Sequence, residues 1–336
     1  MKRIGNLYEK VCSIENLQLA DEKARKGKLR TYGVIEHDKK REVNLLKLRE
    51  TLLNGTFHTS KYDVFTIYEP KEREIYRLPY FPDRILHHAI MNVLEPIWVS
   101  TFTADTYSCI KNRGIHAAAK KVKQALREDP EGTTFCLKLD IRKFYPSINH
   151  DVLKSILRRK LKDKRLLRLL DEIIDSADGV PIGNYLSQYF ANLYLTYFDH
   201  WIKEQKRVKH YFRYADDIVI LASDKSYLHS LMGEIRAYLG DLKLEVKGNW
   251  QVFPVAARGI DFVGYVFFHT HTRMRKGIKK TFCRRLGKVK KRKRPLSEKD
   301  FKQAICPWWG WAKSCDSKHL IKKLSKTSKY EIKFKR

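Results

Sequence analysis

The sequence is short of acid. Against 69 Lys and Arg it sets only 38 Asp and Glu, a formal charge of +31 over 336 residues. Such an excess excludes a polycationic partner and makes a polyanion the expected one, with binding that weakens steeply as salt rises. Close cysteine pairs are also missing: Cys12, Cys109, Cys136, Cys283, Cys306 and Cys315 are scattered. That spacing argues against a zinc ribbon or a disulfide scaffold and for reduced, partly buried thiols. There is no apolar run long enough to span a membrane, and the mixed, charged start has no apolar targeting segment, so a cytoplasmic protein without a membrane partner is expected. Internal repeats are absent too. A solvated ribosomal or packaging protein can be equally basic, but 43% hydrophobic residues are ample for a real core. The length allows two or three substructures.

Two segments carry chemistry. In Phe212-Arg213-Tyr214-Ala215-Asp216-Asp217-Ile218-Val219-Ile220, adjacent carboxylates lie between apolar, β-prone runs, which predicts a hairpin with Asp216 and Asp217 at its tip. In Phe135-Cys136-Leu137-Lys138-Leu139-Asp140 a strand ends on a third carboxylate. If that strand lies beside the hairpin, the three side chains cluster. Two divalent ions about 4 Å apart need such a cluster, one to activate a hydroxyl and one to take charge from a triphosphate. Magnesium prefers the oxygen ligands that these residues supply. The bland alternative is a polar turn, and the basic composition weighs against it. A template-copying polymerase is the expected class.

By texture the chain falls into three parts. Residues 1–130 mix helical and extended segments. One predicted helix starts at Asp83-Arg84 and should end at Pro96, another follows Arg113-Gly114, and Asp129-Pro130-Glu131-Gly132 makes a turn. Residues 131–270 alternate strands and helices: a strand to Asp140, helices over Asp151 to Ile174 and Asn184 to Lys203, the hairpin, a helix over Lys225 to Leu239, and a tight extended segment from Gly259 to Val266. That order suits an α+β fold whose antiparallel sheet is backed by helices. Residues 271–336 are dense in Lys and Arg, followed by Trp308-Trp309-Gly310-Trp311. A disordered tail has no use for such aromatics, so a small basic helical domain with its tryptophans packed inside is expected.

Along nearly its whole length the chain resembles reverse transcriptases, with Tyr214-Ala215-Asp216-Asp217 similar to their catalytic box and Asp140 to the aspartate of their first palm motif. The resemblance implies a right-hand polymerase: fingers with an N-terminal extension over 1–130, a palm with interspersed fingers elements over 131–270, and a basic helical thumb over 271–336. It implies two Mg2+ held by Asp140, Asp216 and Asp217, with the carbonyl of Ile141 as a further oxygen ligand, and deoxynucleoside triphosphate substrates. Tyr145 matches the aromatic that crowds the sugar 2′ position, a core tyrosine being the alternative. Lys71 and Arg73, in Lys71-Glu72-Arg73-Glu74-Ile75, match the segment that holds the triphosphate, with Arg73 favoured for its paired hydrogen bonds. Arg77 and Arg84 are weaker candidates. Arg113 is similar to a template contact, with Gly114 permitting close backbone approach, though a plain helix start reads equally well. Phe262-Val263-Gly264-Tyr265 resembles the primer-grip turn, where Phe262 and Gly264 would bear on the primer, and Lys247 is a weak candidate for protonating pyrophosphate.

Pro181-Ile182-Gly183-Asn184-Tyr185-Leu186-Ser187-Gln188 departs from the common pattern. Many reverse transcriptases have Gln where Ile182 stands and Pro where Gln188 stands. The form here, with Asn249-Trp250-Gln251, resembles enzymes of diversity-generating retroelements, and Ile182, Gly183 and Gln188 would shape the template and nucleotide pocket. That resemblance implies copying that is error-prone at template adenines for mutagenic retrohoming. It also implies a structured template RNA, a cDNA/RNA hybrid product and a basic accessory variability protein that forms a pentamer. The alternatives are a retron-like or group II intron-like reverse transcriptase of ordinary fidelity and an inactive RNA-binding protein on the same fold. An RNA-synthesising polymerase is opposed by Tyr145. His87, His88 and His116 do not have the spacing of a metal site and are expected to be packed or on helix surfaces.

Overall fold

The computed structural model describes residues 3–68, 72–291, 294 and 296–326. The chain forms two compact units, one of Met1–Cys109, Ile141–Lys206 and Ile235–Lys247, the other of Ile110–Asp140, Arg207–Glu234 and Gly248–Arg336.

In the first unit helix Ile14–Ala24 starts at Ser13, whose hydroxyl accepts from the Asn16 amide, and buries Leu17, Ala20 and Ala24. It packs on helix Ile85–Val99, which buries Leu86, Ala89, Ile90 and Leu94. The Asn16 side chain fastens the pair by donating to the Ala89 carbonyl at 3.0 Å. Asp21 is fully buried here. Burial alone would raise its pKa, but hydrogen bonds from His37, Tyr80, Arg41 and Arg25 hold it well below the usual carboxylate range. Strands β1 (Asp63–Ile67) and β2 (Arg73–Arg77) form an antiparallel hairpin.

In the second unit β3 (Phe135–Asp140), β4 (His210–Tyr214), β5 (Asp217–Ala222) and β6 (Gln251–Pro254) form a four-stranded antiparallel sheet in the order β4-β5-β3-β6. The unbroken buried run Ile218-Val219-Ile220-Leu221 marks β5 as an interior strand. Helix Ile115–Glu128 packs against β4 and buries Ala118, Ala119, Val122, Ala125 and Leu126. A second sheet contains β7 (Ile260–Phe262), β8 (Tyr265–Phe267) and β9 (Thr272–Met274). Helices Lys276–Lys290 and Glu298–Lys313 close on each other through Phe282, Leu286, Val289, Phe301 and Ile305.

Three sequence expectations are corrected. Pro96 does not end its helix, which continues to Val99. A proline removes its own N–H and crowds the carbonyl four residues back, but its own carbonyl still accepts from Ser100 at 3.2 Å, and buried Leu94 and Trp98 hold the helix on both sides. The helix expected from Asn184 to Lys203 is interrupted at Leu195, whose φ of −97° and ψ of 3° separate Tyr185–Tyr194 from Thr196–His200. The region from residue 271, expected to be helical, opens with β9, because Thr272 and Met274 are buried in the pairing with β8.

Candidate active site

The second unit brings two of the three carboxylates together. In the β3–β5 register Asp140 faces Asp217, which also pairs with Tyr214 of β4. Directly opposed residues have Cβ atoms about 4.5–5.5 Å apart. Asp216 follows Ala215 in the two-residue turn, and Ala215 takes a left-handed φ of +54°. The tip of the hairpin is therefore Ala215-Asp216, and Asp217 is already the first residue of β5. Arg213 is fully buried beneath the turn and donates to the Ala215 carbonyl at 3.1 Å.

Asp217 is strongly perturbed. Burial pushes its pKa up to about 6, Lys138 pulls it down and Asp140 raises it further. Its Oδ1 is a buried oxygen that lies 3.4 Å from Lys138 Nζ, an ion pair rather than a well-formed hydrogen bond. That oxygen, beside a second carboxylate, fits a hard cation. Among the described residues no group of three or more His, Cys, Asp or Glu side chains is arranged to enclose a metal ion. Magnesium is commonly held by one or two carboxylates with substrate phosphates and water completing the shell, and the Asp140–Asp217 pair meets that smaller requirement.

The Phe262 to Tyr265 segment is a tight hairpin. Phe262 pairs with Tyr265 across the turn residues Val263 (φ +42°) and Gly264 (φ +86°), the double left-handed pattern of a two-residue connection. The Phe262 side chain is fully buried and braces the turn from inside. The Trp311 ring lies against Gly264 in the space that a Cβ would take. The Tyr265 ring lies 5.0 Å from that of Trp311 at a tilt of 43°, and its hydroxyl lies 3.1 Å from His116 Nδ1. Trp311 thus packs on this hairpin, while Trp308 packs on the core between the two helices.

Arg113 closes a turn on Ile110, its amide donating to the Ile110 carbonyl at 3.0 Å, with Asn112 at φ +65°. Gly114 has a φ of −108°, and an added Cβ would meet no protein atom within 4 Å. The chain itself imposes no glycine there.

In the first unit Gly183 lies against the β1–β2 hairpin. Its φ is +124°, a Cβ would come 2.6 Å from the Tyr76 carbonyl oxygen, and the Tyr76 amide donates to the Ile182 carbonyl at 2.8 Å. A cavity of about 180 Å³ adjoins it, lined among others by Lys28, Tyr76, Arg77, Arg84, His87 and Tyr185. Gln188 is exposed on helix Tyr185–Tyr194 and Ile182 is half-buried. Arg73 is exposed at the start of β2. Arg77 is engaged by Asp63 across the hairpin, and burial lowers the pKa of Arg84. Ile141 bridges to Val246 and is fully buried. Tyr145 is half-buried, and its carbonyl accepts from Val180 at 2.9 Å. Lys247 is half-buried next to that bridge. Burial drives the pKa of His87 down to about 3, and His88 stacks on Tyr185 at 4.5 Å. Lys71 lies outside the described residues.

Sequence reasoning passed over Lys138 and Arg275, and expected Trp311 to be packed without indicating that it packs on the Gly264 turn. The signal for Lys138 was available, since residues two apart on a strand share a face and Lys138 precedes Asp140 by two. Arg275 and Trp311 reach the site from far along the chain, and local pattern carries no trace of that. No helix among the described residues is long and apolar enough to cross a membrane.

The profile of the family described as "Reverse transcriptase (RNA-dependent DNA polymerase)" matches residues 69–267. Protein YkfC of Escherichia coli (strain K12) is 26% identical over 279 residues, covering 69% of this chain and 73% of that protein. The group II intron-encoded protein LtrA of Lactococcus lactis subsp. cremoris is 23% identical over 191 residues, which is 52% of this chain but only 31% of LtrA. Nuclear intron maturase 4 of Arabidopsis thaliana is 27% identical over 161 residues, or 46% of this chain and 20% of that protein. Among solved structures, apo telomerase from Candida tropicalis superposes with a TM-score of 0.50 at 12% identity, over 82% of this chain and 60% of its own, a likeness of fold alone.

Proposed function

The chain belongs to the reverse transcriptase family, as an RNA-directed DNA polymerase related to the intron-encoded proteins, and from that premise we propose that it copies a structured RNA into cDNA by two-metal nucleotidyl transfer. The observation that carries this is the β3–β5 register, which sets Asp140 opposite Asp217 with Asp216 in the adjoining turn. In this reading Asp140, Asp216 and Asp217, with the Ile141 carbonyl, hold two Mg2+, which when bound make the primer 3′-hydroxyl a better nucleophile and take charge from the triphosphate. The carboxylates supply ligands and no side-chain general base is needed.

The other roles are proposed on family likeness joined to chemistry. Arg73 and Lys71 bind triphosphate oxygens. Tyr145 sets its ring where a ribose 2′-hydroxyl would stand, so deoxynucleotides are taken. Gly183, Ile182 and Gln188 border the nascent pair, Arg113 contacts template phosphate without reading sequence, and the Phe262 to Gly264 turn bears on the primer end. Fingers, palm and thumb correspond to residues 1–130, 131–270 and 271–336. The partners are the template RNA and the cDNA/RNA hybrid, and the protein works in the cytoplasm.

Relatives among intron-encoded proteins favour a group II intron-like enzyme of ordinary fidelity. A second reading, a mutagenic diversity-generating enzyme that depends on a pentameric accessory protein, is favoured by Ile182, Gln188 and Asn249-Trp250-Gln251. One experiment tests both: Mg2+-dependent cDNA synthesis on structured RNA, with and without a pentameric accessory protein, followed by sequencing of the product. Accurate synthesis without the accessory, lost in Asp216→Ala, supports the first reading. Accessory-dependent synthesis with errors opposite adenines supports the second. Synthesis that survives Asp216→Ala refutes the two-metal assignment common to both.

A further inference from the structure

Resting on the polymerase reading above, we propose that Lys138 is a positioning residue that ties the primer-end hairpin to the catalytic carboxylates. Lys138 lies on β3 two residues before Asp140, so both side chains leave the same face of the sheet. Its ammonium reaches two elements. Toward β5 it lies 3.4 Å from Asp217 Oδ1, and toward β7 it donates to the main-chain carbonyl of Asp261. The Asp261 carboxylate is in turn held by Arg275 Nε at 2.6 Å, and the Arg275 amide donates to the Gly264 carbonyl at 3.0 Å. One continuous set of polar contacts therefore runs from Asp217 through Lys138 to β7, and through Arg275 to the turn at Gly264.

A lysine suits this position for a specific reason. Its flexible stem ends in a compact charge with three donors, so one ammonium can serve an acceptor in each sheet at once. A residue needed only to offset the charge of Asp217 has no use for a main-chain acceptor on β7. The second contact fixes where β7 sits relative to the carboxylates. In a polymerase that offset governs the alignment of the primer 3′-hydroxyl, and a misplacement of about 1 Å in such alignment can cost on the order of 100-fold in rate.

The two contacts have opposite consequences on removal, which separates this role from a merely structural one. Lys138→Met keeps the stem and loses the charge. Without the neighbouring cation the carboxylates should attract Mg2+ more strongly, while the hairpin loses its tether. The test uses the full chain on an RNA template annealed to a DNA primer carrying 2-aminopurine at its 3′ end. Seating of the primer end is read by fluorescence without nucleotide, hybrid affinity by anisotropy, and single-nucleotide extension under single turnover across a Mg2+ titration. Lys138→Met is expected to bind the hybrid normally, to lose the seating signal, and to extend roughly 10–100-fold more slowly with a lower Mg2+ midpoint. Lys138→Arg, which keeps charge and donors, should recover most of the rate. Unchanged seating in Lys138→Met overturns the proposal, as does a rate that falls only in step with hybrid affinity or thermal stability. The seating signal needs no turnover, so it decides the role of Lys138 separately from Asp216→Ala, which tests the two-metal reading.

Discussion

Gly264 and Trp311 offer a quantitative check on the hairpin that precedes the final helices. In Gly264→Ala the new methyl must occupy the space of the Trp311 six-membered ring and would also lie 2.8 Å from Ile278 Cδ1. The backbone adds a penalty, since φ is +86° and a left-handed conformation costs an L-residue roughly 1–2 kcal/mol. Overpacking adds about 1–3 kcal/mol, so the substitution should destabilise the hairpin by about 2–5 kcal/mol. Trp311→Ala removes half of that conflict at its own cost. Full truncation of a buried tryptophan costs about 3–5 kcal/mol, and Trp311 is only half-buried, so its loss should be in the lower part of that range. The double variant then retains the φ strain but not the clash, and should be more stable than the sum of single effects predicts by about 1–3 kcal/mol. Hydrogen exchange at the Tyr265 and Phe267 amides reads this locally, without assuming that both units unfold together. Additivity within about 0.5 kcal/mol would refute the packing account, as would protection in Gly264→Ala equal to that of the parent.

Other expectations follow from the same geometry. Asp217 has its pKa pushed up to about 6, chiefly by burial, with Lys138 opposing and Asp140 reinforcing. Between about pH 4 and 6 the folded chain therefore holds the proton that the unfolded chain has released, and the associated stability is present below pH 4 and lost as pH rises through 6. Above that, ionised Asp217 costs about 1–3 kcal/mol, a range lowered because 29% of its side chain is exposed. Asp217→Asn should stabilise the metal-free protein at pH 8 and leave it nearly unchanged at pH 4, by heat denaturation in chelator. A destabilisation equal at both pH values contradicts this. On the two-metal reading proposed above, the same ionisation predicts that extension falls as pH drops below about 6, because the carboxylate is the form that would bind metal. In the first unit Gly183→Ala should cost at least about 2 kcal/mol, since φ is +124° and the methyl meets the Tyr76 carbonyl. Limited proteolysis of the β1–β2 hairpin should accelerate, and unchanged cleavage there counts against the contact.

Much of the second unit was legible from the chain. Apolar residues flanking Ala215-Asp216 made the hairpin visible, and Leu137 and Leu139 made a strand that had to end on Asp140. What the pattern could not give was register. A slip of one residue between β3 and β5 would turn Asp140 away from Asp217, and only the pairing resolves it. Pro96 misled because the lost hydrogen bond and the crowding it brings are outweighed by the burial of Leu94 and Trp98. The partners of Gly264 were hidden because Trp311 comes from a distant helix, and periodicity along a chain reports which face is buried, not what covers it.

Two hairpin turns in the second unit carry backbone strain. A two-residue connection built for stability alone would place Gly, Asn or Asp wherever φ is positive. Here Ala215 occupies the first position of one turn at φ +54°, and Val263 the first of the other at φ +42°. For a β-branched residue that conformation is a genuine outlier. Each such residue costs on the order of 1–3 kcal/mol and persists only where its surroundings over-determine it. The surroundings can be named: buried Arg213 holds the Ala215 carbonyl, and the Arg275 amide holds the Gly264 carbonyl while Trp311 covers the turn. One turn carries Asp216 and the other adjoins the strand tethered by Lys138. On the polymerase reading proposed above, strain retained at both, and stabilised from beneath at both, is what a chain requires when the positions of a carboxylate and a primer end matter more than the stability of either turn.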